Sequence, residues 1–269
     1  MVLRSAILIG VLLGSVILTT DAAAVQPRCM SCHTPHSQHL TSCTDCHRGD
    51  PRSSRKQIAH AGIIPAAYAR FNLDRSQEVE MGNQAIDSFA CRRCHTIGGR
   101  GNALASNLDR SAMANAPGTL ALAIASPVTS MPQFHLRESM IISIVNALYA
   151  SSLGATPPSQ GEVPQVIYFD DPSTHRDDVF TKHCGSCHRV LTAIRGSLGS
   201  GEVAPDLSGL LTDYYPHTAR DQRPWNRENL ETWLHNPREK RSASPMQPLR
   251  LSRQNLLELL DILEEKGTP

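Results

Sequence analysis

The hydrophobic pattern divides the chain into unlike stretches. "MVLRSAILIGVLLGSVILTTDAAAVQ" holds one apolar run, Ile7 to Leu18, behind Arg4 and ahead of Ala22-Ala23-Ala24. A positive start, a short apolar run and a small-residue site mark a secretory signal peptide, expected over 1–24 with cleavage after Ala24. The run is short for a full membrane span, and no later segment reads as one. Residues 25–75 are polar and His-rich, with too few apolar side chains to fold around a core of their own.

Helical spacing begins after that stretch. Val79, Ile86 and Phe89 share one face ahead of Cys91. The Gly-rich segment 98–101 reads as a loop. Pro117-Gly118 reads as another, with Thr119 capping a helix over 120–125. Beyond the loop "SPVTSMPQF", Ile141, Ile144, Val145 and Leu148 form the stripe of an amphipathic helix. "SSLGATPPSQGEVPQ" is rich in Ser, Gly and Pro and opens a linker, assigned to 153–171.

The pattern then repeats. A short helix in "THRDDVFTKH" enters "CGSCH". Asn226 caps a helix with Leu230, Trp233 and Leu234 on one face. "SASPMQPL" is a loop, and Ser252 caps a last helix that stops near Gly267. The order helix, cysteine motif, loop, helix, Met loop, helix thus occurs over 76–152 and again over 172–269, an internal duplication. The expected fold is mainly α: a loop-rich module at 25–75 followed by two small helical domains.

A length of 269 residues allows two or three such domains, and a formal charge of +1 gives no basic field for nucleic acid. Aromatic residues make up only 4%, so a flat apolar cofactor is a natural filler of the interior.

The cysteines point to that cofactor. All eight fall into four C-x-x-C-H motifs: Cys29-Cys32-His33, Cys43-Cys46-His47, Cys91-Cys94-His95 and Cys184-Cys187-His188. With 12 His in the chain, four successive chance hits are on the order of a few in a million; the motif is the haem-attachment signature. The two thiols form thioethers with the haem vinyl groups, and the histidine behind them ligates the iron. Four covalently bound haem c groups are expected. A Cys29, Cys32, Cys43, Cys46 zinc site leaves four histidines unexplained. A thioredoxin-like dithiol needs a βαβ setting, and disulfides within C-x-x-C are strained.

Several stretches carry a family resemblance. In residues 172–269, "VFTKHCGSCH", "APDLSGL", "LETWLHNP", the Met of "SPMQPL" and the closing helix resemble a class I (mitochondrial-type) cytochrome c domain. Residues 76–152 are similar but more degenerate. In that family a proline carbonyl orients the proximal histidine. Here Ser106-Asn107-Leu108 stands in its place, a departure that bears on the support of His95 rather than on its ligation. Residues 25–73 resemble diheme segments of multihaem cytochromes. The whole order resembles exported cytochromes of extracellular electron-transfer gene clusters, some labelled for selenite or tellurite reduction.

The sixth iron position separates electron transfer, where it is filled, from chemistry, where it is open. Met246 is the expected distal ligand of the fourth haem, with His217 and His235 as rivals. Met131 is expected for the third, with His135 as rival, while Met113 and Met140 read as packing residues. In the first module His60 and His36 are the expected distal ligands. His36 lies too close to His33 to serve the same haem and so would reach the neighbouring one; His39 reads as a solvated loop residue. His175 and His183 read as surface residues. Arg92, Arg93, Arg189 and Arg195 flank motifs and suit either haem propionates or solvent, and the propionates themselves would make the loaded protein acidic.

These features imply an exported tetrahaem cytochrome, periplasmic or outer-membrane-associated. It would pass electrons between other redox proteins, such as quinol-linked or outer-membrane cytochromes, in anaerobic or extracellular respiration. A place in a membrane-conduit complex fits the same pattern. The alternative is a haem enzyme, peroxidase-like or oxyanion-reducing, with an open iron in 76–152; no catalytic cluster stands out near "SMPQF". One expectation is directly checkable. N-terminal sequencing of the exported protein should read from Val25, and a chain still starting at Met1 would contradict the signal peptide.

Overall fold

A computed structural model describes residues 28–36, 42–128, 130–157, 159 and 177–267. The expected signal peptide, His39, His175 and most of the expected linker lie outside the described residues. The fold is mainly helical. Among its described residues the first stretch carries two one-turn α-helices, α1 (Thr44–His47) and α2 (Lys56–Ala59), and two short 3-10 turns, Arg28–Ser31 and Ala66–Tyr68. Next come α3 (Gln77–Ser88), α4 (Leu108–Ala114), α5 (Pro117–Ala125) and α6 (Glu138–Ser152). The last part holds α7 (Val179–His183), an antiparallel hairpin of β1 (Val190–Thr192) and β2 (Gly196–Leu198), then α8 (Arg227–His235), α9 (Pro237–Lys240) and α10 (Arg253–Glu264). Among the described residues no helix is long and apolar enough to cross a membrane.

Side-chain caps set the starts of α3, α4, α7, α8 and α10, since the first N–H groups of a helix lack partners within it. Ser76 accepts from the Val79 N–H, Asp178 from Thr181 and Ser252 from Asn255. Asn226 and Asn229 cap each other reciprocally at the start of α8. Two sequence expectations need correction. The helix expected from residue 120 begins at Pro117, because proline at the first helical position has its φ preset and loses no hydrogen bond. Helix α4 was not expected; it rests on Asn107, which accepts from the Arg110 N–H, rather than on an apolar stripe.

Packing builds two cores. In the first, α3 crosses α6 at Gly82, where a Cβ would come within 2.1 Å of the Ser143 carbonyl oxygen. That contact lets the backbones touch and seals Ile86 and Val145 completely. Helices α4 and α5 cover the rest of α6. The second core gathers Phe180, Val190, Leu198 and one face of α10 (Leu259, Leu260, Leu263).

The first stretch does not stand apart. Cys46, Ile64, Ala69 and Phe71 belong to the core built on α6. Phe71 lies 5.3 Å from Tyr149, ring to ring, and the Arg48 guanidinium sits 4.9 Å from the Tyr149 ring centroid. Asn146, fully buried on α6, accepts from the Arg70 N–H and donates to the Ala67 carbonyl, each at 2.9 Å. The sequence left this stretch to be organised by its cofactors alone; in the structure α6 supplies part of its core. Replacing Asn146 with alanine takes away the partner of the Arg70 N–H and of the Ala67 carbonyl. It should cost about 1–3 kcal/mol, read as a lower denaturant midpoint for the α3–α6 core together with residues 64–71.

Candidate functional site: the four cysteine motifs

Each motif is a single helical turn. The N–H of His33, His47, His95 and His188 donates to the carbonyl of the first cysteine of its motif, at 2.9, 3.0, 3.0 and 2.8 Å. Residues three and four apart on a helical turn share one face, so both thiols and the imidazole emerge together. All eight cysteines are free.

At three motifs a distant carbonyl holds the imidazole. The Nδ1–H of His47 donates to Ile64 O at 2.9 Å, that of His95 to Ser106 O at 2.8 Å and that of His188 to Pro205 O at 2.6 Å. A carbonyl can only accept, so Nδ1 carries the proton and Nε2 keeps its lone pair free for a metal. Burial also holds the His95 imidazole below the usual histidine range, which favours the neutral ring a ligand must present.

The third and fourth motifs share a complete backbone clamp. Ala105 N–H donates to Cys94 O and Leu108 N–H to Thr96 O, both at 2.9 Å, on either side of the His95–Ser106 bond. In the same relation, Ala204 N–H donates to Cys187 O at 3.1 Å and Leu207 N–H to Arg189 O at 2.8 Å, around the His188–Pro205 bond. The absence of a proline before Asn107 therefore costs His95 nothing. The acceptor is a main-chain oxygen, which any residue provides.

His36 and His60 of the first stretch meet motif histidines across motifs. The His60 ring lies 5.8 Å from that of His33, and the His36 ring 5.8 Å from that of His47, between centroids. A metal–imidazole bond is about 2 Å, so two rings on opposite sides of one metal have centroids about 6 Å apart. His36 thus faces the motif that follows its own, and His60 faces the first.

On the last motif's side of the chain, Met246 is half-buried against the second core, and the Trp233 indole N–H donates to its sulfur at 3.1 Å. A thioether sulfur has two lone pairs; the indole takes one and leaves the other available. The sequence placed Trp233 only on a core face and carried no sign of this bond. His217 and His235 are exposed. Met131 is half-buried in the loop between α5 and α6, where its N–H donates to Val128 O at 2.9 Å. His135 in the same loop is exposed, with a left-handed φ of 50°.

The four arginines flanking motifs pair with carboxylates of the chain. Arg92 binds Asp87, Arg93 binds Asp206, Arg189 binds Glu202 and Asp206, and Arg195 binds Glu258. A different cationic set, missed in the sequence, lines a cavity of about 330 Å³ beside Trp225 and Trp233: Arg220, Arg223, Lys240 and Arg241.

The donor set fits covalent haem better than the other uses of paired cysteines. Burial pushes the Cys91 thiol up to about 11 and those of Cys94 and Cys184 up to about 12. A redox dithiol needs a lowered value. Among the described residues no three His, Cys, Asp or Glu side chains converge as on a metal ion. Free thiols beside an imidazole with an open Nε2 are what thioether-linked haem requires.

Comparison with known proteins agrees for the last part of the chain. Residues 177–264 match the family model described as Cytochrome c. A cytochrome c domain over that stretch implies covalently bound haem c and electron transfer in general. No curated protein and no solved structure matches the chain. Replacing Cys184 and Cys187 together with alanine should remove one haem from the mass of the denatured protein. An unchanged mass would contradict attachment at this motif.

Proposed function

We propose that the chain is an exported tetrahaem c-type cytochrome that passes electrons between redox partners. The observation that carries this reading is the crossed histidine pairing, His60 with His33 and His36 with His47. It gives each of the first two motifs a second imidazole at the spacing one iron needs. The clamp common to the third and fourth motifs supports a second class I-like unit over 76–152 beside the one at 172–269.

Bound haem supplies reversible one-electron chemistry between ferric and ferrous iron. The chain's part is attachment, ligation and insulation. Cys29, Cys32, Cys43, Cys46, Cys91, Cys94, Cys184 and Cys187 form the thioethers. His33, His47, His95 and His188 are the proximal ligands. His60 and His36 complete the first two irons, Met131 the third and Met246 the fourth. A methionine ligand raises the potential, so the first pair is low-potential and the last two centres are higher. Filled sixth positions favour transfer over substrate chemistry. Arg220, Arg223, Lys240 and Arg241 are suited to the propionates of the fourth haem. The partners are other redox proteins on the far side of export, in the periplasm or at the outer membrane, and such a chain suits a membrane-conduit complex.

The test uses the loaded protein. Its denatured mass should equal the polypeptide plus four haems. His60→Ala and His36→Ala should each keep all four haems, turn one low-spin iron high-spin and make it bind cyanide. Fewer than four haems, or variants whose spin state does not change, would contradict the reading.

A further inference from the structure

The third and fourth motifs meet across a polar seam. Arg93 lies between the two cysteines of Cys91-Arg92-Arg93-Cys94. Its Nη1 donates to the Asp206 carbonyl at 3.1 Å, and its Nη2 lies 3.7 Å from Asp206 Oδ1. Asp206 directly follows Pro205, whose carbonyl holds His188. The Asp206 carboxylate accepts from the Ser208 N–H at 2.9 Å and from its hydroxyl at 2.6 Å, and faces Arg189 Nε at 3.6 Å. The Tyr215 hydroxyl donates to the Asp206 carbonyl at 3.0 Å, and the Arg93 guanidinium lies 5.8 Å from the Tyr215 ring centroid.

The backbone around this pair is locked. Asn102, 2% exposed, donates through Nδ2 to Arg93 O at 2.8 Å and to Thr212 Oγ1 at 2.9 Å. Gly209 has a φ of 68°, and a Cβ there would come within 2.7 Å of Arg93 O. Ala103 N–H donates to Lys266 O at 2.6 Å. With side chains only 14% and 11% exposed, the Arg93–Asp206 charges are weakly screened by solvent.

We propose that Arg93 and Asp206 form a positioning bridge that holds the third and fourth motifs in one fixed arrangement and couples the reduction potentials of their two irons. The proposal rests on the reading that both motifs carry haem. A cation beside both centres favours the reduced, more electron-rich state of each; an anion favours the oxidised state. Here Arg93 and Asp206 face each other across the seam, each attached to one motif, with Arg189 also against the Asp206 carboxylate. Neither charge can be altered without both centres registering it.

The experiment uses the full-length loaded protein and its R93Q, D206N, R93Q/D206N and R93K variants. Potentials are read by redox titration followed by EPR, and seam integrity by amide hydrogen exchange at 102–103 and 206–212. R93Q should move both higher-potential centres negative, leave the first pair unmoved and speed exchange along the seam. D206N should move the same two centres positive. Because the two shifts oppose each other, the double variant should lie between the two single variants. R93K, which keeps the charge but loses the forked geometry, should restore the potentials and leave exchange fast. Shifts confined to one centre, shifts of the same sign in R93Q and D206N, or exchange in R93Q equal to the parent would overturn the bridge. Haem count is read separately by mass. A chain with fewer than four haems would count against the haem reading, while the exchange result would still decide whether the bridge exists.

Discussion

A backbone carbonyl set against the Nδ1 proton of a histidine is the contact on which the site geometry depends. At His47, His95 and His188 the acceptors lie 17, 11 and 17 residues further along the chain. The bond fixes the tautomer, aims Nε2 outward, and obliges the chain to return to its own cysteine motif. Segments 48–63, 96–105 and 189–204 are the paths of those returns. Because the acceptor is main chain, the geometry tolerates Ser106 where Pro205 and Ile64 serve elsewhere. The protein keeps this constraint where its sequence departs from the family pattern.

Helix α6 is the second organising element. One face takes α3 at Gly82, and another takes Phe71 and the loop around Ala67 through Tyr149 and Asn146. A stretch with little apolar material of its own is thereby tied to a core large enough to hold it. On the opposite side, Arg93 and Asn102 join the third motif to the loop that supports the fourth. The four motifs accordingly touch in chain order. The His60 and His36 rings meet those of His33 and His47, Cys46 and Cys91 belong to one hydrophobic cluster, and the third and fourth motifs share the Arg93–Asp206 seam. Under the proposed function, consecutive contact of this kind suits stepwise electron passage.

Much of this was legible in the sequence, for reasons that differ by feature. The cysteine motifs were, because covalent chemistry imposes a fixed spacing. So were α3, α6, α8 and α10, since each buries a stripe at helical period and three of them begin at a side-chain cap. Helix α4 was hidden because it has an Asn cap and little stripe, and the start of α5 was misplaced because Pro117-Gly118 reads locally as a turn. The support of His95 was invisible because a main-chain acceptor has no residue signature. The Trp233–Met246 bond, the cations around Trp225 and the Arg93–Asp206 seam join residues 13 to 113 positions apart or grouped only by folding. Single-sequence patterns carry no register for such pairs.

The most direct test of the account is low-temperature EPR of the fully oxidised, haem-loaded protein, which counts irons by ligand class in one spectrum. Four low-spin ferric centres, two of the bis-histidine type and two of the histidine–methionine type, are the predicted result. A high-spin signal in the untreated protein, or any count other than two and two, would contradict it.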